Sequence, residues 1–90
     1  MLLITSVTAC SAIEMENERE VAFSEVPEAV LAAARGAVPG ITVMEAEMEV
    51  EEGRTIYEFE GKVGNRNYEV EVDAEGEVLE IEEIGFFSWL

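Results

Sequence analysis

Histidine is absent from this 90-residue chain, and cysteine occurs once, at Cys10. Those two shortages remove most catalytic and metal-binding constellations: no Ser/His/Asp triad, no Cys/His pair, no zinc site of the usual composition and no intramolecular disulfide. Basic residues are scarce as well. Arg19, Arg35, Arg54, Lys62 and Arg66 stand against 21 acidic residues, for a formal net charge of −16. A nucleic-acid partner would require one polyanion to close on another, and anionic lipid would repel the folded domain for the same reason. The charge-complementary partners that remain are basic protein surfaces, cationic peptides and divalent cations. Carboxylates alone can run acid/base chemistry, but twenty glutamates and one aspartate offer no distinguished pair. The residues therefore point to a protein that is not an enzyme, with no cofactor and no dedicated metal site.

Proline is also rare, occurring twice, while 49% of the residues are hydrophobic. That composition is too apolar for disorder despite the charge. No apolar run reaches the roughly 20 residues that a membrane-spanning helix needs. What the chain does have at its start is the short apolar or hydroxylic stretch Met1 to Ala9, which meets Cys10 and gives way to the acidic Glu14-Met15-Glu16-Asn17-Glu18-Arg19-Glu20. Val7-Thr8-Ala9-Cys10 has the form of a bacterial lipobox, in which small residues precede the cysteine that is lipidated after cleavage. Residues 1–10 are accordingly expected to be an export segment ending at a lipidated Cys10, and 11–23 a charged tether. The competing reading makes the first 13 residues a strand or apolar helix, with Cys10 a small buried hydrophobe. The expected location is the bacterial cell envelope, with the membrane reached only through the anchor, or secretion if Cys10 is not acylated.

The folded part is expected over residues 24–84. Ser24-Glu25-Val26-Pro27-Glu28 opens a helix, with proline in the first turn and glutamates near the positive end of the dipole. Val26, Val30, Ala33 and Ala37 form its apolar stripe, widened by Leu31, Ala34 and Val38, and Pro39-Gly40 ends it. From Ile41 the period switches to two. Met44, Ala46, Met48 and Val50 alternate with Glu45, Glu47 and Glu49; Thr55, Tyr57 and Phe59 with Ile56, Glu58 and Glu60; Tyr68, Val70 and Val72 with Glu69, Glu71 and Asp73. Reversals are expected at Glu51 to Arg54, Gly61 to Asn65 and Asp73 to Gly76, before a last strand with Leu79 and Ile81 inward. The expected fold class is α+β: one N-terminal helix packed on one face of a four-stranded antiparallel meander, whose other face is nearly all carboxylate.

The same residues carry a family resemblance. Val26-Pro27-Glu28-Ala29-Val30, Val38-Pro39-Gly40, Tyr57-Glu58-Phe59-Glu60 and the string Tyr68 to Leu79 (YEVEVDAEGEVL) together resemble the PepSY and PepSY-like domains over roughly residues 24–83. The resemblance implies a secreted or envelope domain of the kind found in propeptides of thermolysin-type proteases and in small bacterial lipoproteins, with a role in inhibiting or regulating peptidases. It implies no catalytic residues. A protein partner, either a peptidase or another basic surface, is the expectation that follows; the alternative is an acidic structural lipoprotein that buffers cations or cationic peptides without one defined partner.

The candidate interaction face comprises Glu45, Glu47, Glu49, Glu58, Glu60, Glu69 and Glu71, which alternation brings to one side of the sheet. Such a face either attracts a cation or basic partner or is simply a solvated, aggregation-resistant surface. Asp73 and Glu75 read as turn residues, Tyr57 and Tyr68 as an inward pair on adjacent strands, and Met44 and Met48 as core filling. Residues 85–90 form an aromatic tail in which Phe86, Phe87 and Trp89 either fold back on the domain or contact a partner, with Gly85 as the hinge.

Overall fold

The computed structural model describes residues 18–85, so Cys10, the export segment and the Phe86, Phe87 and Trp89 tail lie outside the described residues. Strand β1 (Arg19–Val21) comes first, followed by a 3-10 turn at Phe23–Glu25 and helix α1 (Glu28–Ala37). Strands β2 (Thr42–Glu51), β3 (Arg54–Val63), β4 (Arg66–Asp73) and β5 (Val78–Ile84) follow. The sheet has five strands in the order β1-β2-β3-β4-β5, with every neighbouring pair antiparallel. This corrects the expected four-stranded meander. The extra strand is Arg19–Val21, from the stretch read as a tether: its charged residues hide a three-residue edge strand in which only Val21 is buried. No described helix is long and apolar enough to cross a membrane.

The helix begins later than its sequence start signal. Pro27 occupies the N-cap with extended backbone angles, and Ser24-Glu25 belongs to the preceding 3-10 turn, where the Glu25 carboxylate accepts the Ala22 N–H at 2.9 Å. The buried stripe is Val26, Val30, Ala34 and Val38, with Leu31, Ala33 and Ala37 half-covered beside it. Val30 and Ala34 join Ala46, Tyr57, Phe59, Val70 and Val72 in one cluster. Phe59, Val30, Val70 and Val72 are its largest fully buried side chains, each stabilising the fold by about 1.5–3 kcal/mol relative to exposure.

Two bulges alter the inward pattern expected from strict alternation. In β2, Val43 pairs with Gly61 but Glu45 pairs with Glu60, leaving Met44 as an extra residue. The phase therefore slips by one: Ile41 and Val43 pack on the core below the bulge and Ala46 and Met48 above it, while Met44 is 51% exposed. In β5, Glu80 pairs with Glu71 and Val78 with Val72, so Leu79 is the extra residue. Leu79 and Ile81, expected inside, are 38% and 48% exposed because β5 lies at the margin of the sheet.

Gly61 explains a third difference. The expected reversal from Gly61 to Asn65 is a two-residue turn at Gly64-Asn65, and β3 runs on to Val63. A Cβ on Gly61 would overlap the Thr42 carbonyl oxygen and approach Ile41 Cγ1 to 2.9 Å, so glycine here admits the chain beside the bulge. Tyr68 lies opposite Gly61 and Tyr57 opposite Val72. The tyrosines are thus not directly paired; Tyr57 stacks instead on Phe59, with ring centroids 6.5 Å apart.

Candidate functional site

Strand register converts the glutamate alternation into rows that run straight across the sheet. Glu20, Glu47, Glu58, Glu71 and Glu80 occupy successive opposed positions from β1 to β5, and Glu45, Glu60, Glu69 and Glu82 form a second row from β2 to β5. Glu49 lies one position further on, opposite Ile56, which in turn faces Asp73. All seven expected face residues are therefore brought to one side of the sheet. Residues directly opposed on antiparallel strands have Cβ atoms about 5 Å apart, where like charges repel.

The molecule answers that repulsion by holding protons. Glu58 shares a hydrogen bond with Glu69, and with partial burial and the surrounding charges this raises its pKa from the ordinary 4.5 to about 9. Glu49 is raised to about 7, first by a hydrogen bond with Glu18, then by desolvation and by repulsion from Glu18, Glu51 and Glu71. Glu47, Glu60 and Glu71 also rise, in each case chiefly through burial and then through neighbouring glutamates. A row of carboxylates in which some members bind protons near neutral pH is a surface short of positive charge.

One oxygen each from Glu18, Glu47 and Glu58 lies within 4.8 Å of the others. These are the described residues able to converge on a cation, and oxygen-only donors suit a hard one such as calcium. The turn between β4 and β5 is organised differently. Asp73, 3% exposed, accepts the Glu75 and Glu77 N–H groups through one oxygen, both at 2.9 Å, and faces Arg54 Nη2 at 3.4 Å through the other. Its acceptor capacity is used locally, as expected of a turn residue.

Glu18, Glu20, Glu80 and Glu82 were not among the expected face residues. Glu80 and Glu82 were legible, since they continue the alternation of Leu79 and Ile81; Glu18 and Glu20 join the face only because β1 exists. Asn67, also on this side of the sheet, is 4% exposed and its side-chain oxygen has no hydrogen-bond partner among the described residues.

The family model for the peptidase propeptide and YPEB domain, PepSY, matches residues 27–82. The chain belongs to the PepSY family. The match begins at the N-cap of α1 and ends within β5, so it takes in the helix, three complete strands and most of the edge strand of this PepSY domain. It makes the chain a module of the peptidase-propeptide or regulatory type. Neither curated proteins nor solved structures gave a match to the chain.

Proposed function

We propose that this PepSY domain is a non-catalytic module of the cell envelope that binds and regulates a peptidase, meeting a basic surface of that partner with its carboxylate-rich side. The observation that carries the reading is the pair of glutamate rows on a domain of the peptidase-propeptide family. Complementary charge steers association and suppresses wrong partners more than it sets raw affinity. The lipobox-like Val7-Thr8-Ala9-Cys10 supports the location: a lipid on Cys10 would tether the domain to the membrane through the acidic residues that follow. Mass spectrometry of the mature N-terminus tests that part, a diacylglyceryl-modified Cys10 being expected.

The regulatory part is tested by capture from an envelope extract on immobilised domain, with peptidase activity assayed in the extract and in the eluate. Binding released by raised salt, together with reduced activity in the extract when free domain is added, is the expected result. Unchanged activity and an eluate free of peptidase would overturn the reading.

A second reading has its own observation, the convergence of Glu18, Glu47 and Glu58. In it, the domain is an acidic structural lipoprotein that takes up divalent cations or cationic peptides with no single partner. Calorimetric titration with calcium separates the two: a stoichiometric transition lost in Glu47→Gln favours the cation reading, whereas weak, diffuse heats leave the glutamates as a surface for a protein.

A further inference from the structure

Both glutamate rows stop at β5 without reaching a balancing charge. Glu80 ends one and Glu82 the other, and among the described residues β5 pairs with β4 alone. Among the described residues no strand takes up the backbone N–H and C=O groups along the outer edge of β5, and such a line is a template for another strand. The face opposite the carboxylates carries exposed apolar side chains at this margin: Val78 and Ile81, opposite the buried Val72 and Val70, are each more than a third exposed, and Glu83 follows them opposite Tyr68. Natural edge strands are guarded by short length, proline, bulges or charged side chains. This one has seven residues and no proline, and its guards are the bulge at Leu79 and three glutamates with no basic side chain, which repel an acidic strand and leave a basic one free to approach.

We propose that β5 is a strand-addition site for an extended, cationic segment of a protein partner, one that alternates Lys or Arg with apolar residues. Main-chain hydrogen bonds to the β5 edge would supply sequence-independent affinity, and the two faces would supply selectivity. Basic side chains of the incoming strand fall beside Glu80 and Glu82 and extend each row with its first opposite charge. Apolar side chains of the same strand fall beside Val78 and Ile81 and cover what the helix leaves open. A second copy of this chain is a poor occupant, because pairing β5 with β5 brings the Glu80 and Glu82 of both copies together. The inference rests on the proposed reading of the domain as a protein-binding regulator, and it identifies the segment of the partner that would be engaged.

The test uses the full chain and two synthetic peptides of identical composition, one alternating lysine and valine and one with the lysines and valines in separate blocks. The alternating peptide is expected to bind at least about tenfold more tightly and to slow amide hydrogen exchange along Val78 to Ile84. Glu80→Lys/Glu82→Lys is expected to weaken that binding by about tenfold or more and to create binding of an alternating glutamate-valine peptide. Glu51→Lys/Glu52→Lys, with the same change in net charge at the β2–β3 turn, serves as the control and should weaken binding far less. Equal binding of the two lysine peptides, equal effects of the two double variants, or no binding at all would overturn the proposal. An envelope peptidase captured equally well by Glu80→Lys/Glu82→Lys would sink the edge site while leaving the regulatory reading standing.

Discussion

Glu58 and Glu69 lie on a diagonal between β3 and β4 and share a hydrogen bond, so one carboxyl of the pair keeps its proton well above the usual glutamate range. Two ionised groups could not form that bond. The consequence is a domain whose most charged face binds protons that the unfolded chain releases.

The sign of the pH dependence follows. Glu58 is raised to about 9 and Glu49 to about 7 from an ordinary 4.5, so between those values the folded state holds more protons than the unfolded one. Stability is then full below the unfolded value and falls as pH rises through the folded values. Both groups are only half-buried, so solvent screening shrinks the effect; a decrease of about 5–10 °C in Tm from about pH 5.5 to 9.5 is expected by thermal melting at fixed ionic strength. A Tm that rises over the same range would show that the glutamates are not coupled in this way.

Replacing Glu58 with Gln keeps a hydrogen-bond donor for Glu69 and removes the need for the folded chain to take up a proton that the unfolded carboxylate has released at this pH. At about pH 8 the variant is expected to be more stable by about 1 kcal/mol in urea denaturation, with a shallower fall toward high pH. Loss of stability would mean that Glu58 contributes through its charge.

Asp73 ties down the β4–β5 turn, and the two ends of its interactions differ in weight. Asp73→Ala leaves the Glu75 and Glu77 N–H groups without their acceptor and is expected to cost about 2–3 kcal/mol. Arg54→Ala removes only a mostly exposed partner at 3.4 Å and should cost about 0.5 kcal/mol or less. Chemical denaturation of both variants decides whether the turn hydrogen bonds or the ion pair matters.

Two glycines should respond oppositely to alanine. Gly61→Ala drives a Cβ into the Thr42 carbonyl and the Ile41 side chain and is expected to destabilise by about 1–3 kcal/mol. Gly36 lies in α1, and a Cβ added there would meet nothing within 4 Å, so Gly36→Ala is expected to stabilise by about 0.5–1 kcal/mol. Equal effects at the two sites would contradict the close approach of β2 to Gly61.

Much of this was legible because the signals were long and periodic. Glu45 to Glu49, Ile56 to Glu60 and Tyr68 to Asp73 alternate without interruption, and period two places every glutamate of such a run on one face. The opposed rows were not legible in detail, since register depends on where the turns close: Gly64-Asn65, not Gly61, reverses the chain, and that choice sets Glu58 against Glu71 and Glu60 against Glu69. Bulges were invisible for a related reason. Met44 and Leu79 look like core residues in any alternating pattern, and only the pairing of Val43 with Gly61 and of Val72 with Val78 removes them from it. Strand β1 escaped because three residues, two of them charged, are too few for a periodic signal. The raised Glu58 and Glu49 were similarly hidden, as each depends on a glutamate from another strand or from the approach to β1.

The carboxylate side and the β5 edge together are the surface proposed to meet a regulated peptidase. Hydrogen exchange on the full chain, with and without the peptidase captured from envelope extract, tests it most directly. Slowed exchange concentrated in Val78 to Ile84, lost when Glu80 and Glu82 are changed to Lys, is the expected result. Protection confined to the exposed side of α1, with β5 exchanging as fast as in the free domain, would contradict it.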